Sequence, residues 1–524
     1  ENRGALDYTG NYPYDWMTID PRLESPNATY RHLIDAIHAR GMKVFQTVVL
    51  NHCSNYGIRG HYWVDRLPHK FYRNSKEAIV WPYTFHWGNY QSRFREDNDN
   101  PKAPAWFQDY VHRDEWGKGP LTDPQTGKVL PLDLYNAERF FGTDEKLLDP
   151  NWFHQKGWYS ASADGISSYS LHFKHLEKNM LDLATENGTV KSYLNKAVET
   201  YTYWGVDGIK IDFAGAIPRY DLLFMMNRWK EKKPHLFVYA DVEGQGSALG
   251  KLGAEKYPSE LAPWWYSRIG YNPTNPDSDG NSRLAVHDYT LFDQFKTSLV
   301  DGHFTGLGPI LQWDYIYGDP TTLITFFHTF QSGPGTDRRY KFGLETWKAA
   351  IAYNLIYTNR GIPSIIAGEE CEFQKGLPLQ PIGTTDLLSA TGRAYFGDKL
   401  TAANIGTTQN HDLYNHIKRW NLIRSRIPAL QKGMLLEGNE WGGGMSFVRD
   451  FQAGESYAVI GLSAVSDQTI TVQRVRNGMY ADAITGATQT VTDHTLTFTV
   501  KAHSAGVWVL NGSGKMGVDG TFLR

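Results

Sequence analysis

Cysteine is almost missing from this 524-residue chain: Cys53 and Cys371 are the whole supply. Two thiols permit at most one internal bridge, so the fold is no disulfide scaffold. Neither sits in a Cys-x-x-Cys or His-rich setting that would point to a metal or redox centre. No apolar run approaches the roughly 18 residues that a membrane-spanning helix needs. An excess of one charge is missing too. There are 53 basic and 56 acidic residues, a formal net charge of −3, and no basic footprint for nucleic acid or an anionic membrane. The opening residues, Glu1-Asn-Arg-Gly-Ala, have neither the basic end nor the apolar core of a secretory signal. That suits a mature secreted chain and a cytoplasmic one equally. What is plentiful is aromatic: 14% of residues, with 17 Trp. Flat rings cover the C–H faces of sugars as well as filling cores. At this length two or three domains are expected.

The most informative stretch is Gly205-Val-Asp-Gly-Ile-Lys-Ile-Asp212. It reads as a short strand that ends on a carboxylate. Alternation puts Lys210 and Asp212 on one face and Ile209 and Ile211 on the other. Val190–Trp204 before it is helical in period, and so is Tyr220–Lys230 after it. Thr29–Arg40 is a helix stopped by Gly41, and Lys43–His52 is a buried strand ending in Asn51-His52. His235–Gly244 is the next buried strand, carrying Asp241 and Glu243 with equal parity. Leu284–Gln294 reads as a strand and its exit, Thr322–Gln331 as another strand, and Trp347–Tyr357 as a helix. Strands alternating with helices predict a parallel sheet wrapped by helices, whose chemistry sits at the C-terminal ends of strands. From Cys53 to about Ser167 this rhythm stops. Seven tryptophans crowd the stretch (Trp63, Trp81, Trp87, Trp106, Trp116, Trp152 and Trp158). It is expected to form an inserted domain over the sheet's mouth, with about half of these rings as core and one or two stacking on sugar. From Lys432 onward the pattern alternates and is rich in turns, as an antiparallel β-sandwich requires.

Gly205–Asp212 resembles the nucleophile strand of the α-amylase family (glycoside hydrolase family 13), and Met180–Asn187 resembles that family's short motif at the end of its inserted domain. Gly10–Pro21 is similar to the family's second barrel strand, Lys43–His52 to the third, His235–Gly244 to the fifth and Gly361–Glu370 to the eighth. The resemblance implies an α/β fold: a (β/α)8 TIM barrel over residues 1–52 and 168–431, with an inserted domain B over 53–167 after the third strand. A C-terminal antiparallel β-sandwich over 432–524 completes it. Residues 1–9 are too short for the first strand and helix, so a separate N-terminal piece is expected to complete the barrel. The implied function is a retaining glycosidase or glucanotransferase on α-glucan. It has no nucleic-acid or membrane partner and works in an extracellular or periplasmic setting. The alternative is a non-catalytic carbohydrate-binding barrel derived from such an enzyme.

By the same resemblance Asp212 is the nucleophile, and the general acid is Glu243 or Asp241, with Glu243 preferred for its residue type and reach. Lys210 stands where the family has Arg, and Gln331 where it has a third Asp, with Asp337 as a substitute from the loop. Tyr12, His52, Lys210, His328, Gln331 and Asp337 are candidates for holding the sugar, and Asn51 for a structural Ca2+. Gln409-Asn-His-Asp412 looks like the third-acid motif, but it follows the eighth strand and is expected off the site. Retention needs two carboxyl groups about 5–5.5 Å apart, one ionised and one protonated. Lys210 beside Asp212 predicts a lowered Asp212 pKa.

Overall fold

The computed structural model describes residues 13, 16–17, 19, 24–54, 152–154, 159, 168–174, 176, 180–242, 262–268, 284–312, 314–327, 345–372 and 401–524. The first helix, α1 (Tyr30–His38), starts where Thr29 accepts from the His32 backbone N–H and the His32 ring takes up the Thr29 N–H in return. This reciprocal cap satisfies two donors that the helix start would otherwise leave open. Gly41, at φ 72°, turns the chain toward the sheet.

In chain order the strands of the first half are β1 (Phe45–Val49), β2 (His52–Ser54), β3 (Met180–Asp182), β4 (Gly208–Asp212), β5 (Phe237–Ala240), β6 (Ala285–Val286), β7 (Ile324–Thr325) and β8 (Ile362–Pro363). β1, β4, β5 and β6 form one parallel sheet in that order. A parallel bridge from His287 to Ile324 continues it to the parallel pair β7–β8. Six parallel strands are therefore described, and closure into a barrel is not seen among the described residues. Residues 1–12, most of the expected second strand over Gly10–Pro21, and nearly all of 53–167 lie outside those residues. β2 and β3 pair antiparallel where the inserted region leaves and rejoins the sheet.

Helix α2 (Gly188–Tyr203), capped by Asn187, leads into β4, and α3 (Arg219–Lys232) leads out of it. Their apolar faces (Val190, Leu194 and Val198; Leu222, Met225 and Met226) pack in one core with Ile209, Ile211, Val48 and Val238. The isoleucine face of β4 thus meets helices, and Lys210 and Asp212 belong to the opposite face, as strand parity requires. Gly208 admits no side chain. A Cβ there would lie 2.2 Å from the Phe45 ring and 2.8 Å from the Phe237 carbonyl oxygen.

The strand and exit expected over 284–294 divide early. The sheet uses only Ala285–Val286 of the stretch 284–294, because Asp288 accepts from the Leu291 N–H at 3.1 Å and starts helix α4 (Tyr289–Ser298). An Asp placed two residues after a strand is a strong helix start, and it outweighs the β-character of the residues that follow. Later helices are α5 (Thr346–Thr358), α6 (Asp412–Arg426) and α7 (Pro428–Lys432).

The last ninety residues form β9 (Met434–Trp441), β10 (Gly444–Phe451), β11 (Ser456–Ser463), β12 (Gln468–Gln473), β13 (Gly478–Asp482), β14 (Thr488–Val491), β15 (Thr495–Val500) and β16 (Ala505–Leu510). Six of them make an antiparallel sheet ordered β14-β13-β16-β11-β10-β9, and β12 pairs with β15 across from it. Val459, Ile470, Val472, Leu496, Phe498 and Trp508 fill the space between, so this unit is the expected sandwich. Its other face shares a core with α5, α6 and α7 through Met445, Phe447, Ile460 and Val507.

Candidate active site

Parallel register brings three side chains to one end of the sheet. Val49 pairs with Asp212, and Ile211 with Ala240, so Asp212 and Asp241 terminate neighbouring strands. The Asp241 N–H donates to the Ile211 carbonyl at 2.8 Å and fixes that level. The Lys210 Nζ lies 2.6 Å from Asp212 Oδ1 and 3.8 Å from Asp241 Oδ2. One ammonium therefore serves two carboxylates. All three side chains keep about a fifth of their surface open, which leaves a face for a ligand.

Two residues from the next strand end complete the group. The Tyr289 hydroxyl donates to Asp241 Oδ1 at 2.6 Å, and His287 Nδ1 stands 3.9 Å from the same oxygen. Burial, followed by the nearby Lys210 charge, lowers His287 to about 3, so it is a neutral ring at this position. The rings of Tyr239, Phe326 and Tyr289 surround it at centroid distances of 5.1–6.0 Å.

The expected lowering of Asp212 is not found. Burial raises its pKa more than Lys210 lowers it, and the neighbouring Asp241 raises it further. Asp241 is raised as well, again chiefly by burial. Lys210 is raised: burial alone would lower it, but the two carboxylates outweigh that. With both carboxylates ionised the trio carries a net −1 in a weakly solvated place, and one shared proton brings it to zero. The pair thus holds a proton at higher pH than isolated carboxylates do.

Asn51 and His52 follow β1, both buried. Asn51 Nδ2 donates to Asp182 Oδ1 at 2.6 Å and to the Ala216 carbonyl at 3.0 Å, while its Oδ1 faces His52 Nδ1 at 3.1 Å. The other Asp182 oxygen lies 2.5 Å from His154 Nδ1, and His154 Nε2 lies 2.8 Å from Glu186 Oε1. Burial pushes Asp182 up to about 7; His154 stands at about 9 because Asp182 and Glu186 outweigh its own burial. A calcium ion needs about six to eight oxygen ligands. Among the described residues the Asp182 carboxylate, the Asn51 side-chain amide and the Ala216 carbonyl gather at Asn51, the position that the resemblance gives to calcium.

Asp412 opens α6 and His411 caps it, with His411 Nε2 at 3.4 Å from Glu372. The two line a cleft of about 500 Å3 with Thr346, Thr407 and Asn410. Glu243, Tyr12, His328, Gln331 and Asp337 lie outside the described residues. The structure therefore brings together Asp212, Lys210 and Asp241, and separately Asn51 and His52. Sequence reasoning missed Tyr289, His287, His154 and Asp182. The signal for the first two was available: a His and a Tyr directly follow a strand, at the end where barrel chemistry collects.

Residues 9–235 match the family model described as the α-amylase catalytic domain. A cyclomaltodextrin glucanotransferase of Thermoanaerobacterium thermosulfurigenes is 22% identical over 66% of this chain and 44% of its own length. An α-amylase of Streptomyces lividans is 24% identical over 98% of this chain and 52% of its own. The chain thus spans about half the length of the curated relatives it matches. Among solved structures, a cyclomaltodextrin glucanotransferase with a three-domain ABC distribution superposes with TM-score 0.62 at 18% identity, covering 95% of this chain and 81% of that one. The α-amylase of Geobacillus thermoleovorans, complexed with acarbose, superposes with TM-score 0.59 at 16% identity, covering 96% and 85%. At such identities the superpositions speak for the fold alone. Residues 9–235 are thus similar to the α-amylase catalytic domain.

Proposed function

We propose that this protein is a retaining α-glucan-active enzyme, a hydrolase or transglycosylase, in which Asp212 is the nucleophile and Asp241 the general acid. The observation that carries the reading is Lys210, held 2.6 and 3.8 Å from two carboxylates at adjacent strand ends. Asp241 is favoured because it shares the Lys210 ammonium with Asp212 and accepts from Tyr289. Glu243 itself lies outside the described residues.

Asp241 carries the shared proton and Asp212, closer to the ammonium, carries the charge. Asp212 attacks the anomeric carbon as Asp241 gives its proton to the departing glycosidic oxygen. The anomeric carbon–oxygen bond breaks, and an ester to Asp212 forms. Asp241, now ionised, takes a proton from water or from a sugar hydroxyl, whose oxygen then displaces Asp212. The configuration is inverted twice and so retained. Lys210 offers one ammonium in place of a planar two-point guanidinium, so it compensates charge without fixing both carboxylate oxygens. A polymeric glucan substrate fits an extracellular or periplasmic setting.

The test is the product. Incubation with α-1,4 and α-1,6 glucans, with and without an acceptor sugar, should release products whose initial anomer is α, read by NMR within the first minutes. Initial β-anomer would contradict retention. Glucan binding without turnover would replace the enzyme by a carbohydrate-binding barrel.

A further inference from the structure

His287, Asp288 and Tyr289 are consecutive at the end of β6, and the outer two face the Asp241 carboxyl while the middle one makes its bonds elsewhere. Main-chain bonds set the level of this tripeptide. His287 N–H donates to the Ala240 carbonyl at 3.1 Å, one residue before Asp241, and Asp288 N–H donates to the Ile324 carbonyl at 2.9 Å. What these bonds leave open is the direction in which α4, and with it the Tyr289 ring, departs from the sheet.

Asp288 is fully buried, and both of its oxygens are engaged. Oδ1 accepts from the Leu291 N–H at 3.1 Å and starts α4; Oδ2 accepts from Arg360 Nη1. Arg360, buried just before β8, also donates from Nε to Asp314 Oδ1 at 2.6 Å. One guanidinium therefore ties the start of α4 to the turn Asp314–Ile316. A planar fork holds two carboxylates in fixed directions, which a single ammonium does not. The anchor is itself well seated. Arg360 N–H donates to Asn359 Oδ1 at 2.6 Å, and Arg424 on α6 donates to the Asn359 carbonyl at 3.3 Å and to the Gly361 carbonyl. A side chain at Gly361 would run into the Leu323 carbonyl oxygen.

We propose that Arg360 is a positioning residue for the site: by fixing Asp288 it holds the Tyr289 hydroxyl against Asp241. Its catalytic meaning rests on the reading of Asp241 as the general acid. A bond donated by Tyr289 favours the ionised carboxylate, so a Tyr289 that swings away leaves Asp241 with a stronger hold on its proton. The charged and titratable groups around Asp241 are Lys210, Asp212, Tyr239, His287 and Tyr289. Those around the Arg360–Asp288 pair are Asp314, Tyr317 and Arg449. Burial pushes Asp314 up to about 6 against the pull of Arg360, so its titration must be told apart from that of Asp241.

The experiment follows the titration of Asp241 in the full chain by NMR of carboxyl-labelled aspartate, with the signal assigned by its loss in Asp241→Asn. It needs no turnover: a chain that cleaves no glucan would sink the proposed function, and the titration would still decide on Arg360. Asp288→Asn is the sharpest variant. Its amide oxygen still caps α4, but its amide N–H faces the guanidinium, donor against donor, and the link is lost. Removing a nearby negative charge would by itself lower the Asp241 midpoint, whereas losing the Tyr289 bond raises it, so the sign discriminates. The expected result is a rise of about half a pH unit or more. Arg360→Lys, which keeps the charge and loses the fork, should also raise the midpoint. Neither variant should add much to the shift of Tyr289→Phe when combined with it. A fall or no change in Asp288→Asn, no change in Arg360→Lys, or shifts that simply add to that of Tyr289→Phe would overturn the proposal. Where one variant fails to fold, the other decides.

Discussion

Tyr289 is where the site's balance can be tested with one atom. Its hydroxyl donates to Asp241 at 2.6 Å, and a donated bond favours the ionised carboxylate. Tyr289→Phe removes that preference and leaves the ring packing against His287 and Phe326. The Asp241 pKa, already raised by burial, should rise further. A general acid works while protonated, so the alkaline limb of kcat/KM should move to higher pH, by up to about one unit. KM should change little, because Tyr289 acts through Asp241. An unmoved limb would remove Tyr289 from this role. Much at this scale was legible in the sequence. The period-2 alternation of Ile209-Lys210-Ile211-Asp212 gave the facing of the site correctly. The sign of the Asp212 shift was not legible, because a neighbouring Lys is visible in the chain and the depth of burial is not. Nor was the choice between Asp241 and Glu243, which have the same parity. His154 and Asp182 were out of reach for a different reason. Twenty-eight positions separate them in the chain, and the meeting depends on a ribbon formed with the inserted region.

At the scale of the element, β4 is held in place at its entrance as well as at its catalytic end. Asp207, just before it, accepts from the Val44 N–H at 2.9 Å and from His38 and Lys43 side chains at 2.8 and 3.1 Å. Burial would raise Asp207, but these three donors outweigh it and hold the group at about 2. The folded value lies below the unfolded one. The stabilisation is therefore fully present above about pH 4 and is lost as pH falls toward 2. Asp207→Asn should cost on the order of 1–2 kcal/mol at pH 6 and much less near pH 2, measured by denaturant midpoints across that range. A penalty that stays constant with pH would show that the donors do not act on the charge. The elements themselves were mostly foreseen: α2, α3 and α5 lie within a few residues of the expected spans, since long periodic segments carry a strong signal. Within the strand and exit expected over 284–294 the strand is only Ala285–Val286, because one capping Asp outweighs β-propensity. β2 and β3 give no local signal at three residues each, and exist because the inserted region returns beside its point of departure.

For the whole molecule, the sandwich and the helices beside it form one packed body. Arg449, fully buried on β10, donates to the Gly433 carbonyl at 2.7 Å and the Thr358 carbonyl at 3.2 Å. Arg419 on α6 reaches two separate segments through three carbonyls, donating to Met516 at 2.9 Å and Leu523 at 2.5 Å in the C-terminal stretch and to Ile484 at 2.6 Å. The last ten residues are thus part of this core, with Leu523 buried. Arg419→Met should cost about 2–4 kcal/mol, because buried carbonyls lose their donor. A denaturant midpoint within experimental error of wild type would contradict this. Alternating hydrophobicity made the sandwich plain in the sequence. Its docking on α5 and α6 was not, because the arginines that secure it read as ordinary surface charge.

The central claim is the division of labour between Asp212 and Asp241, and turnover of a natural α-glucan beside an aryl α-glucoside with a good leaving group tests it most directly. Asp212→Asn should abolish most turnover of both, since an amide cannot attack the anomeric carbon. Asp241→Asn should lose glucan turnover by about 10²-fold or more yet keep much of its rate on the aryl glycoside, which needs little protonation. Glu243→Gln should not show that split. Near-normal glucan turnover in Asp212→Asn, or the leaving-group split appearing in Glu243→Gln and not in Asp241→Asn, would contradict the account.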